Sequence, residues 1–381
     1  APSYNPSILV GRQRSKNYTK LYRDSIAKPL YDRGLLAEYP PGSPFKILTA
    51  LIGLQEGVIT EQTSFVCHHG FSYARGRFMK CHDSGISMLH NGIYNSCNTY
   101  FANVFMNIIK KYKEPADGVD AWSNHIKSFG LGAYMGTDLP NGKAGSIPTS
   151  KTYKKLYPGW GWDEKTIVSN SIGQGEILMT PIQLANMMAT VANRGYYYTP
   201  HIIKKIEGNV IDKSFRTKHM TTIDRKHFEP VINGLYDVYN FGTAHGLNVV
   251  GIDICGKTGT AENYLRVNGQ RVKLQDHSIF VAFAPKENPK IAIAVFVENG
   301  YWGARWAGPI TSLMIEKYLK KKISRVDLET RMLTGSLQGQ YDKLLPRNKQ
   351  DSLATVKMRK QDSLDKIKKS KDTLTKKSGG K

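Results

Sequence analysis

Residues 39–57, "YPPGSPFKILTALIGLQEG", carry the strongest structural signal in this chain. Ser43 stands directly before a proline, and a serine cap followed by proline at the first helical position predicts a helix start. The apolar residues that follow cover most of the helix circumference, which predicts a buried helix ending at Gly57. Residues three apart share one face, so the Lys46 amine can hydrogen-bond the Ser43 hydroxyl.

This spacing is compatible with nucleophilic catalysis. A lysine that apolar neighbours desolvate can lose its proton and serve as general base for a serine, which is otherwise a weak nucleophile. The Ser-x-x-Lys pattern alone is common by chance, and a capping serine beside a snorkelling lysine would also explain it. Further motifs are needed to make the interpretation specific.

Two later segments supply them. Ser96-Cys97-Asn98 lies at the junction of two helical stretches within residues 88–112, the second of which is clearly periodic. If Ser96 and Asn98 both face a cleft, Cys97 between them faces the protein body.

The other segment is Lys257-Thr258-Gly259-Thr260, on a predicted strand. Its glycines allow a substrate backbone to lie along the strand edge, while Lys257 and the hydroxyls of Thr258 and Thr260 offer a cationic pocket for a carboxylate. Acyl transfer also needs two donors for an oxyanion, and the N–H groups of Ser43 and Thr260 are suited to that task.

The predicted elements favour an α+β fold with helices packed on an antiparallel sheet. Residues 180–195, "TPIQLANMMATVANRG", predict a capped apolar helix. Strand patterns follow in residues 249–262, 278–285 and 290–299, the latter two joined as a hairpin, and residues 308–321 predict a closing helix.

Charge and composition limit the function classes. The chain has 381 residues and a formal net charge of +23, of which residues 331–381 carry 14 Lys and Arg against 5 Asp and Glu. No zinc-finger, RNP-type or homeodomain signature accompanies this charge, so nucleic acid is not an expected partner. No apolar run is long enough for a bilayer span, and the N-terminus lacks the features of a signal peptide.

Three regions are expected. Residues 1–40 are interpreted as an extended lead-in from a longer N-terminal region, 41–322 as the catalytic domain, and 323–381 as a disordered, basic, low-complexity tail with a repeat of about eleven residues. A membrane anchor is expected to lie outside the chain.

The three motifs, in this order, are a signature of penicillin-binding proteins and class A β-lactamases. From about Pro2 to Leu319 the chain resembles the transpeptidase domain of class B penicillin-binding proteins, most closely the elongation-type penicillin-binding protein 2 group in a Bacteroidetes-like form. "YPPGSPFK", "NSCNTYF", "SIGQGEILMTPIQLA", "CGKTGTAE" and "VENGYWGARWAGPI" carry the resemblance. It implies the penicillin-binding transpeptidase fold, which is similar to serine β-lactamases and has an additional helical subdomain.

The resemblance also implies a β-lactam-inhibited D,D-transpeptidase that needs no catalytic cofactor and acts on stem peptides ending in D-Ala-D-Ala. The roles it implies are nucleophile for Ser43, base for Lys46, proton relay for Ser96 and substrate donor for Asn98. The resemblance also implies that the substrate carboxylate and β-lactams are contacted by Lys257, Thr258, Gly259 and Thr260.

Other implications concern location and partners. The resemblance implies a catalytic domain in the periplasm, an inner-membrane helix and a pedestal beyond this chain, and a SEDS-family glycosyltransferase with other elongation components as partners. The motif Ser-Pro-Phe-Lys departs from the usual Ser-Thr-Phe-Lys, which removes the N–H of residue 44 but neither proposed oxyanion donor.

The cysteines permit three interpretations. Cys67, Cys81 and Cys97 fall within about thirty residues with several histidines, whereas Cys255 is interpreted as a buried small residue. The cluster is consistent with a disulfide in an oxidising periplasm, with unpaired thiols, or with a structural Cys3His zinc site whose fourth ligand is His82, with His90 as the alternative.

Rival functions remain open from the sequence. A D,D-carboxypeptidase, or a β-lactam-hydrolysing or β-lactam-sensing relative, would use the same residues. A non-catalytic scaffold of the elongation machinery, or a surface-binding module working through the tail, would use none of them.

Overall fold

The computed structural model describes residues 3–25, 27–159, 161–267 and 270–339. The chain divides into a first compact unit of residues 1–332 and a second of residues 333–381. Most of the predicted basic tail, residues 340–381, lies outside the described residues. The site described below belongs to the first unit.

The described part combines helices with short antiparallel sheets. The α-helices are α1 Arg14–Tyr22, α2 Arg33–Leu36, α3 Lys46–Gln55, α4 Leu89–Tyr94, α5 Asn98–Lys110, α6 Pro115–Lys127, α7 Ser150–Leu156, α8 Pro181–Ala192, α9 Phe228–Asn240, α10 Ala307–Lys320 and α11 Val326–Thr334. The strands are β1 Phe65–Ala74, β2 Arg77–Ser87, β3 Tyr196–Tyr197, β4 His219–Met220, β5 Cys255–Ala261, β6 Tyr264–Val267, β7 Gln270–Lys273, β8 His277–Ala284 and β9 Ile291–Val297.

The largest sheet of the described part has the order β5-β8-β9 and is antiparallel throughout. Strand β8 is buried from Ser278 to Ala284, as its continuous apolar run predicts for a central strand. Helices α8 and α10 pack against β8 and β9, and α9 packs against β5. The predicted α+β architecture, including the β8–β9 hairpin, is therefore confirmed.

Helix α3 lies at the centre of the first unit. Every residue from Lys46 to Leu54 is buried, and the helix contacts α5, α6 and α9. It ends where Gly57 takes a left-handed φ of +67°, as predicted. Because α3 is surrounded on all sides, the position of its first turn is fixed by the core.

Two regions differ from expectation. The long hairpin of β1 and β2 is not predicted by the sequence, whose polar residues there give little alternation. In the lead-in, predicted to be extended, α1 and α2 form without burying a residue. Among the described helices, none has both the length and the apolar character of a membrane span.

Candidate active site

The three motifs converge on one cleft of about 570 Å³. Ser43 begins a short 3-10 turn, Ser43–Phe45, that leads into α3. Ser96 lies between α4 and α5, Asn98 is the first residue of α5, and Thr258 to Thr260 lie on β5. All of these residues line the cleft. Segments more than 200 positions apart in sequence thus meet where a substrate can enter.

The first turn of α3 is pressed against strand β5. Gly42 has φ +61° and ψ −149°, a conformation essentially restricted to glycine. A Cβ atom on Gly42 would lie 2.7 Å from the carbonyl oxygen of Thr260. The Gly42 N–H also donates to the Gly173 carbonyl at 2.9 Å. The backbones beside Ser43 and at Thr260 are therefore in direct contact, as two oxyanion donors require.

The proline of the Ser-Pro-Phe-Lys motif has a packing role at this junction. A Cβ atom on Gly259 would lie 2.5 Å from Cδ of Pro44. On Gly303, in the loop after β9, a Cβ atom would lie 2.9 Å from the Gly259 nitrogen. The absence of a side chain at Gly259 and Gly303 lets the strand pass between the helix start and this loop.

The Lys46 side chain is 1% exposed and joins two motifs. Its Nζ atom donates to the Ser96 carbonyl at 2.7 Å, to the Ser96 hydroxyl at 3.1 Å and to Oδ1 of Asn98 at 2.5 Å. These bonds use all three ammonium donors, so the predicted bond to the Ser43 hydroxyl is not among them. Burial lowers the Lys46 pKa to about 8, against the opposing influence of Cys81, Cys97 and Asp83.

The Ser96–Asn98 turn is held in a constrained conformation. Ser96 has a left-handed φ of +60°, which is uncommon for a residue with a side chain. Cys97 caps α5 and accepts from the Tyr100 N–H at 3.4 Å. Nδ2 of Asn98 donates to the carbonyl of Lys80 on β2 at 2.7 Å. Cys97 is buried while Ser96 and Asn98 line the cleft, so the three side chains face the directions that the sequence predicts.

Lys257 is placed differently from the sequence interpretation. Its side chain is fully buried, and its Nζ atom donates to the Thr258 carbonyl at 3.3 Å. Desolvation, followed by the nearby Lys46 charge, holds the Lys257 pKa well below its usual value. The Thr258 hydroxyl forms a 2.6 Å bond with that of Thr243. Here the cleft presents hydroxyl groups, with the amine of Lys257 behind the strand.

Behind the Ser96–Asn98 turn, three cysteines come together. The sulfur atoms of Cys67, Cys81 and Cys97 all lie within 4.8 Å of one another, and the Cys81–Cys97 distance is 3.8 Å. All four cysteines are free thiols, so the disulfide alternative is not adopted. The Cys255 thiol is buried, as predicted, and its pKa is raised by desolvation.

His82 is not brought into this cluster. Successive strand residues point to opposite faces, so the ring beside Cys81 is exposed and lines the cleft. The buried hydroxyl of Ser87 lies beside the Cys97 sulfur. Hydrogen bonding from Cys97, and from backbone groups that include the Asn98 N–H at 3.1 Å, lowers the Cys81 pKa.

The sequence interpretation missed the far end of the cleft. Glu262, Asp276 and Trp302 line it beyond Thr260. They come from three separate loops next to strands β5, β8 and β9, and no motif spacing links them.

Known proteins share this fold and these elements. Residues 2–316 match the family described as the penicillin binding protein transpeptidase domain. A curated relative, the peptidoglycan D,D-transpeptidase MrdA of Haemophilus influenzae, is 31% identical over 344 residues, covering 86% of this chain and 51% of the relative. The chain spans about half the length of the curated MrdA relatives that it matches.

Solved structures give the same result. Penicillin-binding protein 2 of Pseudomonas aeruginosa in complex with WCK 5153 superimposes with a TM-score of 0.71 at 31% identity, covering 85% of this chain and 69% of that one. A structure described as a peptidoglycan synthase complex that coordinates polymerization and crosslinking gives a TM-score of 0.72 at 28% identity, covering 85% and 53%. The convergent cleft and these matches together place the chain in the penicillin-binding protein transpeptidase family.

Proposed function

We propose that this chain is the catalytic part of a peptidoglycan D,D-transpeptidase that works through a Ser43 acyl-enzyme during cell elongation. The observation that carries the proposal is the position of Lys46, which is buried on the Ser43 helix and bonded to both Ser96 and Asn98. The relative named D,D-transpeptidase MrdA supports the same activity.

In the acylation half-reaction, neutral Lys46 removes the Ser43 proton, and Oγ attacks the carbonyl carbon of the penultimate D-Ala. The N–H groups of Ser43 and Thr260 stabilise the resulting oxyanion. The C–N bond then breaks, and the proton reaches the leaving D-Ala nitrogen from Lys46 through the Ser96 hydroxyl. Ser43 is left as an ester.

In the second half-reaction, an amine of a neighbouring stem peptide attacks that ester. The same groups act in reverse: a proton leaves the amine towards Ser96 and Lys46, the ester C–O bond breaks, and Ser43 recovers its proton. Water in place of the amine would make the enzyme a carboxypeptidase. Water attack on a penicilloyl ester would make it a β-lactamase.

Substrate positioning is assigned to Asn98 and to β5. The second N–H of the Asn98 amide donates to the substrate, and the edge of Thr258, Gly259 and Thr260 receives its backbone as an added strand. The two threonine hydroxyls bind the terminal carboxylate. Lys257, buried behind them, stabilises that negative charge through the strand.

The direct experiment is mass spectrometry of the intact protein after incubation with benzylpenicillin. A stable penicilloyl adduct on Ser43, absent in Ser43→Ala, is expected. Fast turnover of penicillin would identify a hydrolytic relative instead. Labelling that persists in Ser43→Ala would remove Ser43 from the mechanism, and no adduct on the wild-type chain would favour the scaffold alternative.

We also propose that the three clustered cysteines bind a structural zinc ion that is not needed for catalysis. Three thiols at these distances suit a tetrahedral site with Zn–S bonds of about 2.3 Å. With His82 directed into the cleft, Cys67, Cys81 and Cys97 are the ligands assigned to this ion. The ion would fix β1, β2 and the Ser96–Asn98 turn to one another.

The remaining proposals follow from the composition of the chain and from the family resemblance. Residues 41–322 are the transpeptidase domain, 1–40 lead into it and 323–381 form a basic tail. The enzyme works at the inner membrane with its catalytic domain in the periplasm. A SEDS-family glycosyltransferase and other elongation proteins are its partners, β-lactams are its inhibitors, and a Bacteroidetes-like source is retained as a prediction.

A further inference from the structure

Glu298, directly after β9, is bonded to the segment that precedes the nucleophile. The Tyr39 hydroxyl donates to its Oε1 atom at 2.7 Å, and Nε of Arg33 lies 3.4 Å from its Oε2 atom. Each oxygen of this carboxylate thus has a partner on the lead-in. The side chains of Arg33 and Glu298 are 19% and 29% exposed, so the ion pair is partly shielded from water. The acylation steps proposed above use none of these three residues.

Tyr39 is held by further contacts besides the bond to Glu298. Its ring stacks on that of Phe296 in β9, with the ring centres 3.7 Å apart, and approaches the His277 ring of β8 edge-on. The Met179 N–H donates to the Tyr39 carbonyl at 2.8 Å. Burial and the bond to Glu298 raise the pKa of Tyr39, so its hydroxyl remains a proton donor.

A stiff connection joins Tyr39 to Ser43. Pro40 and Pro41 follow Tyr39, and each proline ring fixes its own φ and restricts the residue before it. Gly42 then takes its glycine-restricted conformation against β5. Because this segment has few ways to bend, a displacement of Tyr39 is passed on to the N–H and hydroxyl of Ser43.

Glu298 also relates the nucleophile to the second oxyanion donor. Thr260 lies on β5 and Glu298 directly follows β9, and both strands belong to the sheet β5-β8-β9. The next residue, Asn299, accepts from the amide of Asn263, just beyond β5, at 2.9 Å. Since the two oxyanion donors are on separate elements, their spacing depends on how the Ser43 segment is held against this sheet.

We propose that Glu298 is a positioning residue for acylation, which acts through Tyr39 to hold the N–H and hydroxyl of Ser43 in register with Thr260. The described lining of the cleft includes neither Glu298 nor Tyr39, so loss of their bond leaves the cleft-lining side chains unchanged. Penicillin binding should therefore be retained while the chemical step slows, because the oxyanion forms only after binding. This role rests on the Ser43 acyl-enzyme proposed above.

The test measures the rate of penicilloyl-enzyme formation at a series of benzylpenicillin concentrations by mass spectrometry of the intact protein. The series separates the limiting acylation rate from the half-saturating concentration. Tyr39→Phe keeps the ring and removes the hydroxyl, and it should lower the limiting rate about tenfold with the half-saturating concentration nearly constant. Glu298→Ala should act in the same way. Glu298→Gln, whose amide oxygen still accepts from Tyr39, should recover part of the rate.

The double variant Tyr39→Phe/Glu298→Ala shows whether the two residues act through one another. A shared effect gives the same limiting rate as Glu298→Ala alone, which is the expected result. Independent effects would multiply to a loss of about a hundredfold, and that result would overturn the assignment of Glu298 as acting through Tyr39.

Glu316→Gln is the matched control because it also breaks a shielded carboxylate pair, the 3.0 Å contact between Glu316 and Arg325. It should lower Tm and leave the limiting rate unchanged. Wild-type limiting rates in Tyr39→Phe and Glu298→Ala, or an equal loss in Glu316→Gln, would overturn the positioning role.

The final yield of adduct gives the folded fraction of each variant. Tyr39→Phe, which preserves the ring packing, decides the question if Glu298→Ala does not fold. Absence of an adduct on the wild-type chain would instead count against the Ser43 acyl-enzyme itself.

Discussion

Nζ of Lys46 lies 2.7 Å from the carbonyl oxygen and 3.1 Å from the hydroxyl oxygen of Ser96. One residue is on the nucleophile's helix and the other on a turn 50 positions later. The amine therefore carries two functions: it serves as the base, and it holds the second motif against the first. Protonation of Lys46 strengthens these bonds but removes the base, so the two functions depend oppositely on pH.

The pH dependence of acylation follows from this pair. Because burial lowers the Lys46 pKa to about 8, only about a tenth of the enzyme has the neutral amine at pH 7. The second-order rate constant for penicilloyl-enzyme formation should therefore rise about tenfold between pH 7 and pH 9, with its midpoint near 8. Mass spectrometry of samples quenched at timed intervals measures this rate constant. A rate constant that does not change with pH would contradict the assignment of Lys46 as base.

Asn98 provides a second test. Its amide bridges Lys46 and the Lys80 carbonyl, so Asn98→Ala removes a substrate donor and releases both partners. We expect acylation to slow by about a hundredfold or more. Asn103→Ala, on the same helix, removes only a bond to the Thr99 carbonyl and should leave the rate nearly constant. If the two substitutions slowed acylation equally, the role of Asn98 would be to stabilise the helix and not to bind the substrate.

The contact between Gly42 and Thr260 predicts a difference between two glycines. In Gly42→Ala, the new Cβ would meet the Thr260 carbonyl at 2.7 Å and separate helix α3 from β5. A displacement of about 1 Å is expected to slow acylation about a hundredfold. Gly57→Ala introduces a side chain at a similar φ into open space, costs about 1–2 kcal/mol of stability and should retain the rate. If Gly42→Ala kept the wild-type acylation rate, the close contact between the start of α3 and β5 would not be needed for catalysis.

The zinc proposal predicts a metal and a thermal shift. Native mass spectrometry should find one zinc per chain, and chelation should lower Tm by several degrees because the ion stabilises only the folded state. Cys81→Ala should lose the metal, whereas Cys255→Ala, at a buried thiol outside the cluster, should keep it. Four reactive thiols after denaturation with no stoichiometric zinc would leave the cluster as plain core thiols.

Local patterns predicted much of this fold and site. The stop at Gly57 and the β8–β9 hairpin each depend on neighbours in sequence, and each was predicted correctly. The predicted cap at Ser43 was wrong, because Gly42 occupies the N-cap position and Ser43 is the first residue of the turn that leads into α3. The division between buried Cys97 and its two cleft-lining neighbours also follows from residue order alone. Assignments of catalytic roles drew on the family resemblance and stay predictions until the variants are measured.

Features that arise from long-range packing were not predicted. The β1–β2 hairpin packs against α5, and only a few of its residues are buried. Its sequence therefore lacks the strict alternation of apolar and polar residues that marks a half-buried sheet. Successive residues of a strand point to opposite faces, so His82, next to Cys81, is directed away from the cysteines. The spacing of cysteines and histidines in the sequence does not show this. The burial of Lys257 likewise depends on what packs behind β5.

The meeting of Gly42 with Thr260 has a consequence for drug resistance. Two backbones form this contact, so any side chain added there would also move the nucleophile Ser43. A substitution at this point therefore cannot exclude an inhibitor or admit water while leaving the catalytic geometry intact. Substitutions that discriminate between a β-lactam and a stem peptide are therefore expected at the rim around Trp302, where side chains alone decide what fits.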